Sequence, residues 1–223
     1  MRFTLLIPML LICWTDVKGQ QILVDQPFNG FTVYGQHASN IDSVSELPVQ
    51  IKTALEEYLI DMVGSNFKNV TFSHGQNIDL KSYFSSPNHK VSNFRWQVPA
   101  YDLNFVLSDI TLGIKSYFLQ LRLDEYGQLL FVNWPKKGYS NKEKFQSTAK
   151  IIQIALEEAN SRGFLAFKYE TDLKFNPNSE SLNWVFKFPK TRNPDNEQFD
   201  VIEISLTSLK VVDEYTIVKT VYH

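Results

Sequence analysis

The chain has 223 residues, of which 43% are hydrophobic and 21% charged, an ordinary globular composition with apolar surface for one large domain or two small ones. A formal charge of −2 and a pI near 6.1 leave no electrostatic footprint for nucleic acid, and no run of like charges suggests a polybasic membrane segment.

Met1-Arg2 supplies a short positive start, Phe3 to Trp14 a compact apolar run, and Val17-Lys18-Gly19 a cleavage boundary. The pattern predicts a signal peptide over residues 1–19 and a secreted or periplasmic mature chain. Nothing later reaches the roughly 18 consecutive apolar residues of a membrane-spanning helix, so no transmembrane segment is expected. The single cysteine, Cys13, leaves with the signal, and no disulfide holds the mature chain. The alternative makes Cys13 the acylated first residue of a lipoprotein, but Ile12 stands where such signals need a small residue. Asn69-Val70-Thr71 has the form of an N-glycosylation acceptor.

Leu47, Ile51, Ala54, Leu55, Tyr58 and Met62 recur at helical spacing, with Ser45 as N-cap, Pro48 in the first turn and Gly64 as terminator. A β-prone run follows at Phe67, Thr71 and Phe72. The stretch from Ser73 to Asn93, rich in Ser, Pro, Asn and Gly, reads as an irregular connection. Phe94, Trp96 and Val98 alternate as one strand face, and Pro99 stops that strand. Tyr101, Leu103, Phe105 and Leu107 share the face of another strand, with Asp102 turned the opposite way. "YFLQLRLDEYGQLLFVNW" then reads as a hairpin with its turn at Tyr126-Gly127.

The same order returns. Phe145, Ala149, Ile152, Ala155, Leu156 and Ala159 form a second amphipathic stripe, opened by the capping box Ser140 to Glu143 and closed by Gly163. Ala-Leu-Glu-Glu occurs in both helices, at Ala54 and Ala155. Phe164, Phe167 and Tyr169 are β-prone, Trp184, Phe186 and Phe188 alternate ahead of Pro189, and "QFDVIEISLTSLKVVDEY" aligns without a gap on the first hairpin, setting Leu121 against Ile202. The expectation is an α+β chain of two similar units, 20–135 and 136–223, each one helix packed on an antiparallel sheet. A single α+β domain with two similar helices is the alternative.

A helix followed by an antiparallel sheet, twice over, resembles a tandem of cystatin-like folds, and the closing hairpins resemble the end of PepSY-type domains. The resemblance implies noncatalytic binding or peptidase regulation. No Gln-x-Val-x-Gly loop is present, and Asn133-Trp134-Pro135 reverses the usual Pro-Trp order, so the inhibitory cystatin motifs are absent.

His37, His74, His89 and His223 fall at no zinc-binding spacing, and neither a nucleophile elbow nor a phosphate loop is written. No catalytic, metal or cofactor site is therefore expected. Glu56, Glu57, Glu157, Glu158 and Asp102 are expected as exposed carboxylates, each worth no more than about 0.5 kcal/mol on truncation. The aromatic content of 14% singles out Trp96, Trp134, Trp184 and Tyr126 as a candidate interaction surface. The reading is an exported, non-enzymatic module that binds an unknown protein or peptide through a sheet face, hairpin tip or strand edge. Its rival is a small-molecule-binding or enzymatic cone, as in folds resembling nuclear transport factor 2, with the ligand between helix and sheet.

Overall fold

The computed structural model describes residues 21–26, 34–86, 98–192 and 196–220. The expected signal segment with Cys13, and Phe94 and Trp96 of the strand expected before Pro99, lie outside them. The fold is mixed α+β, with two sheets and few helices.

The first apolar stripe becomes helix α1, Val49–Val63, which buries Ile51, Leu55, Leu59, Met62 and Val63. Pro48, not Ser45, stands at its N-cap. Ser45 belongs instead to a separate 3-10 turn, Val44–Glu46, whose capping side chain is Ser43. Gly64 ends α1 at φ +50°, a conformation that costs other residues strain. An added Cβ there would lie 2.1 Å from the Ser140 carbonyl oxygen, so the helix terminus is closed against the chain leading into the second half.

The six-stranded sheet comprises β1 (Val24–Asp25), β2 (Ala38–Ile41), β3 (Val70–Ile78), β4 (Tyr101–Asp109), β5 (Ile114–Leu123) and β6 (Leu129–Val132). Its order is β1-β5-β4-β3-β2, with β6 also on β5, and only β1 is parallel. Of the stretch 73–93 expected as an irregular connection, residues 73–78 instead complete β3 and residues 80–85 form the short helix α2, Leu80–Ser85, while 87–93 lie outside the described residues. Asp79 caps α2, accepting from Ser82 N at 2.9 Å, which the polar composition of the stretch concealed.

One edge of β5 is shared. β6 covers Leu121 to Leu123 and β1 covers Ile114 to Ser116. Between them the Asn133 amide acts as a surrogate strand, accepting from Gln120 N and donating to Phe118 O, both at 2.7 Å. Trp134-Pro135 then carries the chain away, since proline offers no ladder donor.

Helix α3, Thr148–Ser161, buries Thr148, Ile151, Ala155 and Ala159. Its cap is Ser147, which accepts from Lys150 N. The expected capping box falls in a separate 3-10 turn, Lys142–Lys144, so Phe145 is buried ahead of the helix and Ala149 is exposed. After α3 come β7 (Glu170–Asn176), β8 (Ser181–Arg192), β9 (Asn196–Ser205) and β10 (Val211–Thr220), an antiparallel meander in the order β10-β9-β8-β7. Pro189 does not stop β8. The strand runs on to Arg192, and the ladder absorbs the missing donor as a register shift between Pro189 and Thr191.

One hydrophobic cluster unites side chains of α1, α3 and both sheets. Residues 21–26 tie the sheets together. Leu23 and Val24 are buried beside β5, Thr171 donates to the Leu23 carbonyl, and Gln26 donates to Asp172 and to Leu173 O. Among the described residues no helix is long and apolar enough to cross a membrane.

Candidate interaction surface

Two of the aromatic residues expected at a surface are core residues. Trp134 and Trp184 have no exposed area, because each lies where helix, sheet and connecting chain converge. Trp134 donates its indole N–H to Met62 O at 3.1 Å, while Trp184 Nε1 is buried without an acceptor among the described residues. Trp96 falls outside the described residues. Tyr126 is 73% exposed, on the turn between β5 and β6.

That turn is built by Asp124, whose carboxylate accepts from Tyr126 N at 2.9 Å and Gln128 N at 2.7 Å. Gly127, at φ +86°, lets the tip lie directly on Ile51 and Ala54 of α1. Beside it a cleft of about 870 Å³ opens toward α2, with Leu80, Phe84 and Leu130 in its wall and Lys81, Asp124 and Glu125 contributing charge.

Asp102 departs from expectation. Its phase on β4 is as read, opposite Leu103, Phe105 and Leu107, yet it is only 1% exposed. Register supplies the reason: Gln76, Asp102, Arg122 and Phe131 stand in one row across four strands, and His74, Asn104 and Gln120 in the next. Gln120 donates to one Asp102 oxygen at 2.7 Å and Arg122 Nε to the other at 3.1 Å. Arg122 in turn lies over the Phe131 ring, 5.3 Å from its centroid. Burial lowers the His74 pKa, against the pull of the Asp102 charge. The other carboxylates fit their expectation better. Glu56, Glu57 and Glu157 are exposed, and Glu158 is half-buried in an ion pair with Arg162.

The four-stranded sheet presents a second organised face, away from α3. Glu203 is buried there and accepts from Lys174 at 3.1 Å, Asn183 at 3.0 Å and Tyr215 OH at 2.8 Å, a network reaching all four strands. Burial pushes the Glu203 carboxyl up, and the three hydrogen bonds together outweigh it, so its pKa lies below the ordinary value. Next to this network Val185, Phe199 and Val201 form a buried apolar strip with Tyr215 and Ile217 of β10.

β10 ends the sheet. Nine of its ten residues, all but Val212, pair with β9 on one side, and no strand among the described residues covers the other. Val212, Asp213, Glu214, Thr216, Val218, Lys219 and Thr220 are exposed. Alternate backbone N–H and C=O groups of such a strand point off the sheet, which makes it a template for another extended chain. The alternating apolar pattern announced a strand here; nothing in it distinguished an edge from a centre.

Among the described residues no group of three His, Cys, Asp or Glu side chains gathers where it could hold a metal ion. No protein-family model matches this chain, and no curated protein or solved structure matches it either.

Proposed function

We propose that the chain is an exported, non-enzymatic binding module of two related helix-plus-meander units, in the manner of tandem cystatin-like or PepSY-like domains, and that it takes an extended segment of a protein partner along β10. Support for the two units comes from element order. α1 precedes the antiparallel run β3-β4-β5-β6, and α3 precedes β7-β8-β9-β10. The space between helix and sheet, where the rival cone would hold its ligand, is taken up in both halves by side chains such as Leu55, Leu103 and Leu121, or Ala155, Trp184 and Ile202, each at most 1% exposed. Asp102, the best-placed candidate for acid–base work, has both oxygens engaged by Gln120 and Arg122.

The observation that carries the binding mode is the ten-residue edge of β10, which no strand among the described residues covers. Strand addition draws affinity from main-chain hydrogen bonds and selectivity from alternate side chains. The test is a screen of displayed extended peptides, followed by hydrogen exchange on the complex of any hit. Protection confined to residues 211–220 is the expected result. A hit that instead protects the cleft beside Tyr126, or a screen with no hit, defeats the edge reading; turnover in a broad activity screen that disappears in a stably folded Asp102→Asn variant defeats the non-enzymatic one.

A further inference from the structure

We infer that one partner of the β10 edge is a second copy of this chain, paired antiparallel about a twofold axis through Thr216. The inference rests on reading β10 as a binding edge and names its occupant.

An isologous pair requires a strand whose sequence complements its own reverse. An axis through Thr216 sets Asp213 against Lys219 of the second copy, twice, and Tyr215 against its Ile217, twice. An axis through a residue also brings like backbone phases opposite each other, which antiparallel hydrogen bonding demands. Asp213, Tyr215, Ile217 and Lys219 all lie on one face, because side chains alternate along a strand after the irregularity between Val211 and Asp213. That face is the one bearing the Val185, Phe199 and Val201 strip. Pairing therefore makes the apolar strip continuous across the axis, with an opposite-charge pair at either end. Aromatic to β-branched and opposite-charge partners are the favourable cross-strand combinations.

The charges of β10 sort the same way. Glu214 points to the other face, where Arg162 Nε meets it at 2.7 Å, so its charge is compensated within the chain. Asp213 and Lys219 form no ion pair among the described residues. Moving the axis to Tyr215 would set Asp213 against Ile217 and Lys219 against Val211, and moving it to Ile217 would set Tyr215 against Lys219. On the face of Asp213, Tyr215, Ile217 and Lys219, the axis at Thr216 is the one of these three that pairs charge with charge and apolar with apolar; on the other face it sets Glu214, already held by Arg162, against Val218.

Sedimentation equilibrium on the mature chain across a concentration series is the test. Wild type is expected to reach the mass of a dimer. Asp213→Lys sets lysine against lysine and Lys219→Asp sets aspartate against aspartate, so each variant alone is expected to lose the dimer. Mixing the two variants restores both pairs and should return a dimer containing one of each. Circular dichroism identical to wild type separates lost pairing from lost folding, since both positions are exposed. A wild type that stays monomeric, or single variants that still dimerise, overturns self-pairing. A mixture that stays monomeric while wild type pairs overturns the Thr216 register. None of these results touches the peptide footprint on 211–220, which decides the wider edge reading separately.

Discussion

Replacing Asp102 by alanine tests how the six-stranded sheet tolerates a charge on its outer face. The carboxylate side chain is 2% exposed and its partner Arg122 is 25% exposed. Truncation removes hydrogen bonds of 2.7 and 3.1 Å and leaves a largely buried guanidinium without its counter-charge. Breaking a fully buried pair costs about 3–5 kcal/mol. Arg122 is not fully buried, and it keeps the Phe131 ring, so it recovers part of that by turning toward water. The expected loss is therefore about 2–3 kcal/mol. Against a folded stability of roughly 5–15 kcal/mol this is large but survivable. In a urea titration followed by tryptophan fluorescence, with a slope of about 2 kcal/mol per M, the midpoint should fall by about 1–1.5 M. Glu57→Ala, on the exposed face of α1, is the control and should stay within about 0.5 kcal/mol. Asp102→Ala shifting the midpoint no more than Glu57→Ala would refute the assignment of a buried, stabilising pair.

Other expectations follow from the same physics. Gly64→Ala meets both a positive φ and the Ser140 carbonyl at 2.1 Å, so it should cost more than about 2 kcal/mol and loosen α1 from the chain ahead of α3, read as faster exchange of the Ser65 amide bonded to Ser140 O. The two buried tryptophans should part company on conversion to phenylalanine. Trp134→Phe leaves Met62 O without its donor, whereas Trp184→Phe removes an indole N–H that has no acceptor among the described residues, so the first should destabilise more by about 1 kcal/mol in thermal melts. Glu203, with a depressed folded-state pKa, adds stability that is fully present above the unfolded-state value of about 4.3 and is lost as pH falls through the folded value. The stability gap between wild type and Glu203→Gln should accordingly stay constant near neutrality and shrink on acidification below about pH 4.3; a gap that widens there would contradict the sign.

Periodicity announced α1, α3 and the strands β4, β5, β6, β8, β9 and β10, because an amphipathic stripe and a two-residue alternation each have one way to bury an apolar face. It announced none of β1, β2 and α2, and the β-prone run expected at Phe164, Phe167 and Tyr169 is a turn ahead of β7. The α1 stripe at Ile51, Leu55 and Met62, the inward row Trp184, Phe186 and Phe188, and both hairpin turns are local patterns of this kind. Boundaries were less legible. Ser43, Ser45, Ser140 and Ser147 are chemically equivalent as caps, and only the packed backbone selects Ser43 for its 3-10 turn and Ser147 for α3. Burial of polar groups was not legible at all. Asp102 reads as outward and exposed in its own strand, and it is the register with β5, placing Gln120 and Arg122 beside it, that encloses it. The same holds for the interaction surface. A tryptophan's sequence neighbours do not reveal whether an outside remains for it to face, and tertiary packing sealed Trp134 and Trp184 while leaving Tyr126 on a turn. Nor does an alternating strand announce its place in a sheet. β9 and β10 are both ten-residue strands, yet among the described residues β9 is enclosed by two neighbours and β10 by one, because strand order is a global property that no local spacing encodes.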